Sequence, residues 1–288
     1  MTHSTTYLAP AKINLFLHII GKLPNGYHAL ESLFVFANQG DRLQFQPASH
    51  LTLEVTGPFH DALTDAAPEH NLVYKAALAL QKISGTTKGA KITLEKNIPI
   101  AAGLGGGSSD AATTIRSLMA LWELDIPEPE LYALATSLGA DIPSCLYGKA
   151  CYVEGLGEKL TPITFPKVPL VLVTPPCAIS TIWSYQQIRP PYTASLEHFP
   201  TAFEDMDGLV QLLSSTQNDM AAAAHSKEPM IHEVLDALAT SEGCLLSRLS
   251  GSGPTCYGLF ENIEAADHAA TQLQQEHPDW WSCAVVVG

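Results

Sequence analysis

The first place in this 288-residue chain where residue types and spacing could do chemistry is a run of small residues. It reads Pro99-Ile100-Ala101-Ala102-Gly103-Leu104-Gly105-Gly106-Gly107-Ser108-Ser109-Asp110. Four of the five residues from Gly103 to Gly107 lack a Cβ, so the backbone can turn freely and pass close to a ligand. Downstream, Ile115, Leu118, Met119 and Trp122 recur at i, i+3, i+4 and i+7, which predicts an amphipathic helix over Ala111–Trp122. Converging N–H groups that run into a helix N-terminus make a receptacle for an anion, above all a phosphate. A Walker loop would place a lysine after the glycines, where Ser108 and Ser109 stand. A dinucleotide fingerprint started at Gly103 meets serine at its third small position, and Asp125, at the distance of a ribose ligand, lies in Asp-Ile-Pro-Glu-Pro rather than at a strand end. Both patterns fail. What remains is a lysine-free phosphate cradle, so a cation for a reacting group must come from elsewhere.

Two residues far from the loop could act on a proton. Lys12 lies in Ala9-Pro10-Ala11-Lys12-Ile13-Asn14-Leu15, at the mouth of a predicted strand, and Asn14, two residues on, faces the same side. Asp141 lies in Gly139-Ala140-Asp141-Ile142-Pro143, between a helix end and a proline that can open another helix. Taken singly, Lys12 reads as a solvated strand-end charge and Asp141 as an N-cap. Asp110, at the start of the loop helix, reads first as a capping carboxylate and second as a metal contact.

Other chemistries find no foothold. The eleven histidines include no His-x-x-x-His, the six cysteines no Cys-x-x-Cys, and the chain no Gly-x-Ser-x-Gly elbow. A zinc site, a disulfide framework and Ser-His-Asp hydrolysis are therefore not expected, and no metal ligand is assigned on the protein. With 15 Lys+Arg against 29 Asp+Glu the formal net charge is −14, which argues against nucleic acid as a partner. A phosphate site in such a field must rest on backbone donors, a few cations and a metal ion. The apolar run Ile13–Ile20 is short and broken by Asn14 and His18, so neither signal peptide nor membrane span is expected and the location reads as cytoplasmic. No motif fixes an oligomeric state.

Periodicity places the elements that would position these residues. Strands are predicted over Lys12–Ile20, Glu31–Phe36, Arg42–Phe45, Ala90–Lys96, Val168–Thr174, Cys256–Phe260 and Trp281–Val287. Helices are predicted over Asn71–Ile83, Glu128–Leu138, Gly208–Leu213, Pro229–Ala239 and Ala265–Gln275. Pro24-Asn25-Gly26 is a turn, Gly155–Glu158 a connection, and Arg189–Glu204 an irregular surface segment. Length favours two domains.

The order of the segments resembles the GHMP small-molecule kinases. Pro10-Ala11-Lys12-Ile13-Asn14-Leu15, the glycine loop, Gly139-Ala140-Asp141-Ile142-Pro143 and Leu249-Ser250-Gly251-Ser252-Gly253-Pro254-Thr255 follow one another as in that family. Within it, Pro24-Asn25-Gly26-Tyr27-His28, Asn71-Leu72-Val73 and Glu154-Gly155-Leu156-Gly157-Glu158 resemble the branch whose acceptor carries a cytidine diphosphate group. The resemblance implies an α+β fold of two domains. Residues 1–158 would form a ribosomal protein S5 domain 2-like half with the ATP loop, and 159–288 a ferredoxin-like half. It implies ATP as phosphoryl donor with Mg²⁺, and a small-molecule acceptor.

It also implies roles for single residues. Asp141 would accept the proton of the attacking hydroxyl, and Lys12 would keep it ionised, as a nearby cation does for a carboxylate. Pro99, Ile100, Ala101, Ala102, Gly103, Leu104, Gly105, Gly106, Gly107, Ser108 and Ser109 would hold the ATP phosphates, with Ser108 and Ser109 near the phosphates or the metal ion. Asn71 and Lys96 would lie near the adenine. Asn14 and Thr181 would touch the acceptor. Tyr27 and Tyr185 would sandwich its cytosine while the His28 segment reads the base edge. Gly251-Ser252-Gly253 reads equally as a nucleotide-closing turn and as a plain hairpin turn.

Overall fold

Ile13, Leu15, Phe16, Leu17 and Ile19 are all buried and anchor a long first strand. The computed structural model describes residues 5–64 and 67–288. In chain order it forms β1 (Thr6–Lys22), β2 (His28–Ala48), β3 (Thr52–Thr56), the short helix α1 (Asp61–Thr64), α2 (Leu72–Ser84) and β4 (Gly89–Glu95). Then come α3 (Gly106–Trp122), α4 (Glu128–Leu138), α5 (Ile142–Tyr147), β5 (Cys151–Gly155), β6 (Lys159–Pro162) and β7 (Val168–Thr174). The rest comprises α6 (Thr181–Gln187), α7 (Met206–Ser214), α8 (Ala221–Lys227), α9 (Met230–Thr240), β8 (Cys244–Leu249), β9 (Cys256–Phe260), α10 (Ile263–Glu276) and β10 (Trp281–Val287). The class is mixed α+β.

The contacts divide into two units, and each is discontinuous in sequence. The first takes the described residues of Met1–Ala11, Gln39–Ile100 and Gly105–Gly148. In it the second half of β2 runs antiparallel to β4, with Leu43 opposite Leu94 and Phe45 opposite Ile92, while β3 adds parallel to β4. Helix α2 is capped at one end by Asn71, whose Oδ1 accepts the Val73 N–H at 2.9 Å, and ends on the left-handed Gly85. Its buried Val73, Ala76, Ala77 and Leu80 share the core with Ile115, Leu118 and Trp122 of α3. Of the face predicted from spacing on α3, Ile115, Leu118 and Trp122 are buried and Met119 is half-buried. Trp122 also donates through Nε1 to the Gly89 carbonyl at 3.2 Å, tying the end of α3 to the sheet.

The second unit takes Lys12–Asn38, Ala101–Leu104 and Lys149–Gly288. The first half of β2 pairs antiparallel with β5, and β5 with β6 through the turn at Leu156-Gly157-Glu158. β10, β7, β9 and β8 form an antiparallel sheet, and β10 meets β2 where Val287 faces Ala37. Helices α9 and α10 bury Ile231, Val234, Leu238, Ala266 and Leu273 against Val171, Val173 and Phe260. That burial is the main stabilising term for this layer.

Two expectations are corrected. The strands predicted at Glu31–Phe36 and Arg42–Phe45 are one strand, because different partners pair its two ends and the intervening polar residues never leave it. At Gly40 a Cβ would lie 1.9 Å from the Ala9 carbonyl oxygen, so only glycine lets these strands cross so closely. The loop helix begins at Gly106 rather than Ala111, because Gly105, at φ +61°, is the last left-handed residue. Arg189–Glu204 is irregular and mostly exposed, as predicted, yet aromatic residues anchor it. Phe199 stacks on Tyr152 with centroids 4.1 Å apart, and Phe203 is buried.

Candidate active site

Lys12 is not the solvated strand-end charge that it suggests in isolation. It sits inside β1 at 4% exposure, its ammonium 4.4 Å from the centre of the Phe34 ring. The strand period turns Lys12 and Asn14 to one side, and Lys12 Nζ donates to Asn14 Oδ1 at 2.8 Å. Asn14 Nδ2 donates to Ser32 Oγ at 2.9 Å, which fixes the amide orientation. Buried Cys151 feels the same ammonium, yet burial outweighs it and pushes the thiol up to about 12, leaving an unreactive thiol.

Two distant segments are stitched to this strand within the second unit. The Lys12 N–H donates to the Leu104 carbonyl at 2.8 Å, and the Asn14 N–H to Ser250 Oγ at 3.2 Å. Ser250 Oγ in turn reaches the Gly103 carbonyl at 3.3 Å, and the Thr255 N–H the Ala102 carbonyl at 3.2 Å. Gly103 has φ +77°, and a Cβ there would lie 2.7 Å from the Ser250 carbonyl oxygen and 2.8 Å from that of Gly253. Gly251-Ser252-Gly253 is indeed the turn of the β8–β9 hairpin, and it is also more. Ser252 and Thr181 share a hydroxyl–hydroxyl hydrogen bond at 2.8 Å, and Asn218 Nδ2 holds the turn by donating to the carbonyls of Leu249 and Gly251 at 2.8 Å each. Ser32 and Asn218 belong to no sequence motif, and Ser250 and Thr255 only to the Leu249–Thr255 segment; their long-range partners alone give these four residues a role.

The aromatic residues of the second unit meet in a particular order. His28 and Tyr185 lie nearly parallel, 15° between planes and 5.6 Å between centroids, with Tyr192 edge-on to His28 at 6.3 Å. Tyr27 is 67% exposed. Burial, then the charges of Lys22 and Arg189, lower the His28 pKa, so its ring is neutral at neutral pH and offers one donor and one acceptor. Glu31 braces this side: its carboxylate accepts from Ser195 Oγ and from the Leu196 N–H, the latter at 3.0 Å. Tyr192 lies in the segment that sequence reading left without structure.

In the first unit, the second half of the glycine motif is the first turn of α3. Gly105 is the N-cap and supplies no side chain, so no side-chain acceptor covers the first N–H groups of this helix. A Cβ on Gly107 would contact Leu72 Cδ1 at 3.4 Å, so the starts of α2, with Asn71, and of α3 adjoin. The Asn71 amide oxygen serves as the α2 cap. Lys96 is buried, its ammonium bonded to Asp41 Oδ2 and, at 2.8 Å, to Asp110 Oδ2. Asp110 is therefore a buried ion-pair member in the second turn, not the expected cap, because α3 starts earlier than its apolar pattern shows. Burial, opposed by Lys96 and reinforced by Asp41, pushes its carboxyl up to about 7.

Asp141 occupies the N-cap position of α5, yet its side chain makes no capping bond; its carbonyl accepts from Cys145 N–H at 3.1 Å and from Ser144 Oγ at 2.8 Å. The half-buried carboxylate is thus not committed to holding its own helix. Among the described residues no group of three or more His, Cys, Asp or Glu side chains could hold a metal ion. Nor is any helix among them long and apolar enough to cross a membrane.

Comparison with known proteins places this arrangement. The model of the GHMP kinases N terminal domain matches residues 71–149, and that of the GHMP kinases C terminal region matches 197–279. The chain belongs to the GHMP kinases. Like other GHMP kinases, it uses ATP. It is 45% identical over 274 residues to the 4-diphosphocytidyl-2-C-methyl-D-erythritol kinase of Paramagnetospirillum magneticum, spanning 95% of each chain. It is 42% identical over 279 residues to that of Rhodospirillum rubrum, spanning 96% of this chain and 90% of the relative. A crystal structure of 4-(cytidine 5'-diphospho)-2C-methyl-D-erythritol kinase superposes with a TM-score of 0.81 at 32% identity, covering 99% of both chains. Homoserine kinase from Cytophaga hutchinsonii shares the fold, with a TM-score of 0.70 at 20% identity.

Proposed function

We propose that this GHMP kinase transfers the γ-phosphoryl group of ATP to the 2-hydroxyl of 4-diphosphocytidyl-2-C-methyl-D-erythritol, a step of the non-mevalonate route to isoprenoid precursors. The stacked His28–Tyr185 pair carries the reading, because it sets a neutral imidazole and a phenol ring where a pyrimidine could be stacked and its edge read. The full-length relatives bearing that activity support it.

In this reading Pro99–Ser109 receives the ATP phosphates on backbone N–H groups and on the uncapped start of α3, with Asn71 and Lys96 on the adenine side. Asp141 takes the proton of the attacking hydroxyl, and Lys12 supplies positive charge to the nucleophile. Asn14, locked between Lys12 and Ser32, orients the acceptor, as does Thr181. Tyr27, Tyr185 and His28 hold its cytosine. Catalysis then comes from alignment and charge neutralisation, as is general for phosphoryl transfer. The Ser108 and Ser109 hydroxyls are the groups on this chain that would help to hold Mg²⁺ together with the ATP phosphates and water. When bound, the ion neutralises charge on the phosphate oxygens.

Along the chain we assign residues 1–158 to the half that carries the ATP loop and 159–288 to the second half, although the compact units interleave across that boundary, and we place the enzyme in the cytoplasm, in keeping with six free cysteines. The deciding experiment compares phosphorylation of the cytidine-diphospho acceptor with that of methylerythritol phosphate. A marked preference for the former is expected, and equal efficiency on both would refute the reading.

A further inference from the structure

Asp41 was not part of any motif, yet it is fully buried in the first unit and accepts three hydrogen bonds. Its Oδ1 takes the backbone N–H of Asn97 at 2.6 Å and that of Ile98 at 3.1 Å, immediately before Pro99. Its Oδ2 takes the Lys96 ammonium, which also donates to Asp110 Oδ2 at 2.8 Å, in the second turn of α3. Asp41 is 0%, Asp110 2% and Lys96 4% exposed. The start of α3 lies directly against this group: a Cβ on Gly106 would be 3.4 Å from Lys96 Nζ and 3.5 Å from Asp41 Oδ2. One carboxylate thus holds the residues where the chain enters the glycine loop, and a shared ammonium ties them to the helix that leaves it. Buried charged hydrogen bonds are strong and directional, so they fix geometry as well as contribute energy.

We propose that Asp41, Lys96 and Asp110 form a positioning clamp that sets the two ends of the nucleotide loop, acting on ATP affinity and not on the acceptor or the proton transfer. The inference rests on reading Pro99–Ser109 as the nucleotide loop. Neither carboxylate needs to touch ATP. Breaking one link lets loop entry and helix start move apart, so the backbone donors no longer converge before the ligand arrives.

Titration calorimetry with a non-hydrolysable ATP analogue on the full-length protein, with steady-state kinetics alongside, tests this. Asp41→Ala and Asp110→Ala should each weaken analogue binding about tenfold, the scale of one charged hydrogen bond. The KM for ATP should rise in step, with kcat at saturating ATP and the acceptor KM within about threefold of the unmodified enzyme. Asp110→Asn keeps an oxygen toward Lys96 and should regain most of the lost affinity. A merely structural role would lower the active fraction without moving either KM. Unchanged analogue affinity in folded Asp110→Ala, or failure of Asp110→Asn to improve on it, overturns the clamp. Absence of analogue binding by the unmodified protein would instead overturn the nucleotide reading. The Asp110 pair decides alone if Asp41→Ala does not fold.

Discussion

The His28 imidazole lies against the Tyr185 ring at 5.6 Å, although the two residues are far apart in sequence and sit at the start of β2 and within α6. Removing either face should weaken acceptor binding selectively. Tyr185→Ala is expected to raise the acceptor KM by roughly 5- to 150-fold, matching about 1–3 kcal/mol per stacked base, and His28→Ala by roughly 5- to 10-fold, the scale of one hydrogen bond to the base edge. The KM for ATP should stay put. Initial-rate kinetics with each substrate varied in turn would reveal the opposite pattern if the pair served the nucleotide.

Asp141 tests the chemistry itself. Its side chain does not cap α5, so Asp141→Asn should leave the local helix intact. The substitution is expected to lower kcat by about 10²- to 10⁴-fold, the range of general-base contributions, while ATP analogue binding persists. Near-normal turnover would remove Asp141 from the reaction.

Gly103 offers a steric test with a built-in control. Gly103→Ala places a Cβ 2.7 Å from the Ser250 carbonyl oxygen at a backbone angle of φ +77°. A loss of about 1–3 kcal/mol in unfolding free energy is expected. Gly21→Ala meets nothing within 4 Å and should be tolerated. Denaturant titration of both variants makes the comparison, and equal stabilities would contradict the packing of Gly103 on the Ser250 turn.

His18 predicts a pH dependence of folding. It is buried in β1, and its Nε2 accepts the Gln217 N–H at 3.2 Å, which requires the neutral ring. Burial, only partly opposed by Asp219 and Glu31, lowers its pKa below the ordinary 6.5. The unfolded chain therefore takes up a proton before the folded one does, so stability is full above the ordinary value and declines as pH falls below it. Between about pH 7 and about pH 5, His18→Gln should gain stability relative to the unmodified protein. A constant difference across that range would mean that His18 does not carry the effect.

Where a property depended on near neighbours, it was legible in the chain. The strands Val168–Thr174, Cys256–Phe260 and Trp281–Val287 and the helix Glu128–Leu138 follow from periodicity, and the structure places them at those bounds. The facing of Lys12 and Asn14 likewise needs only the strand repeat. Short or amphipathically silent pieces such as β3, β6, α5 and α6 gave no comparable signal, because packing rather than pattern holds them. Asp110 shows the limit most clearly: its helix extends back through Gly106, where no apolar repeat marks it, so a buried ion pair looked like a cap.

By itself, then, the sequence determined a glycine turn that runs into a helix, the lack of a lysine within it, and the family order of its motifs. Those properties reside in single residues and short spacings. Tertiary structure alone decided that Asp41 reaches Asn97, Ile98 and Lys96, that Ser250 reaches Asn14 and Gly103, and that His28 faces Tyr185. Each is a contact between residues distant along the chain. Its partner is chosen by burial, where an unpaired polar group is costly, and no local pattern encodes which partner that will be.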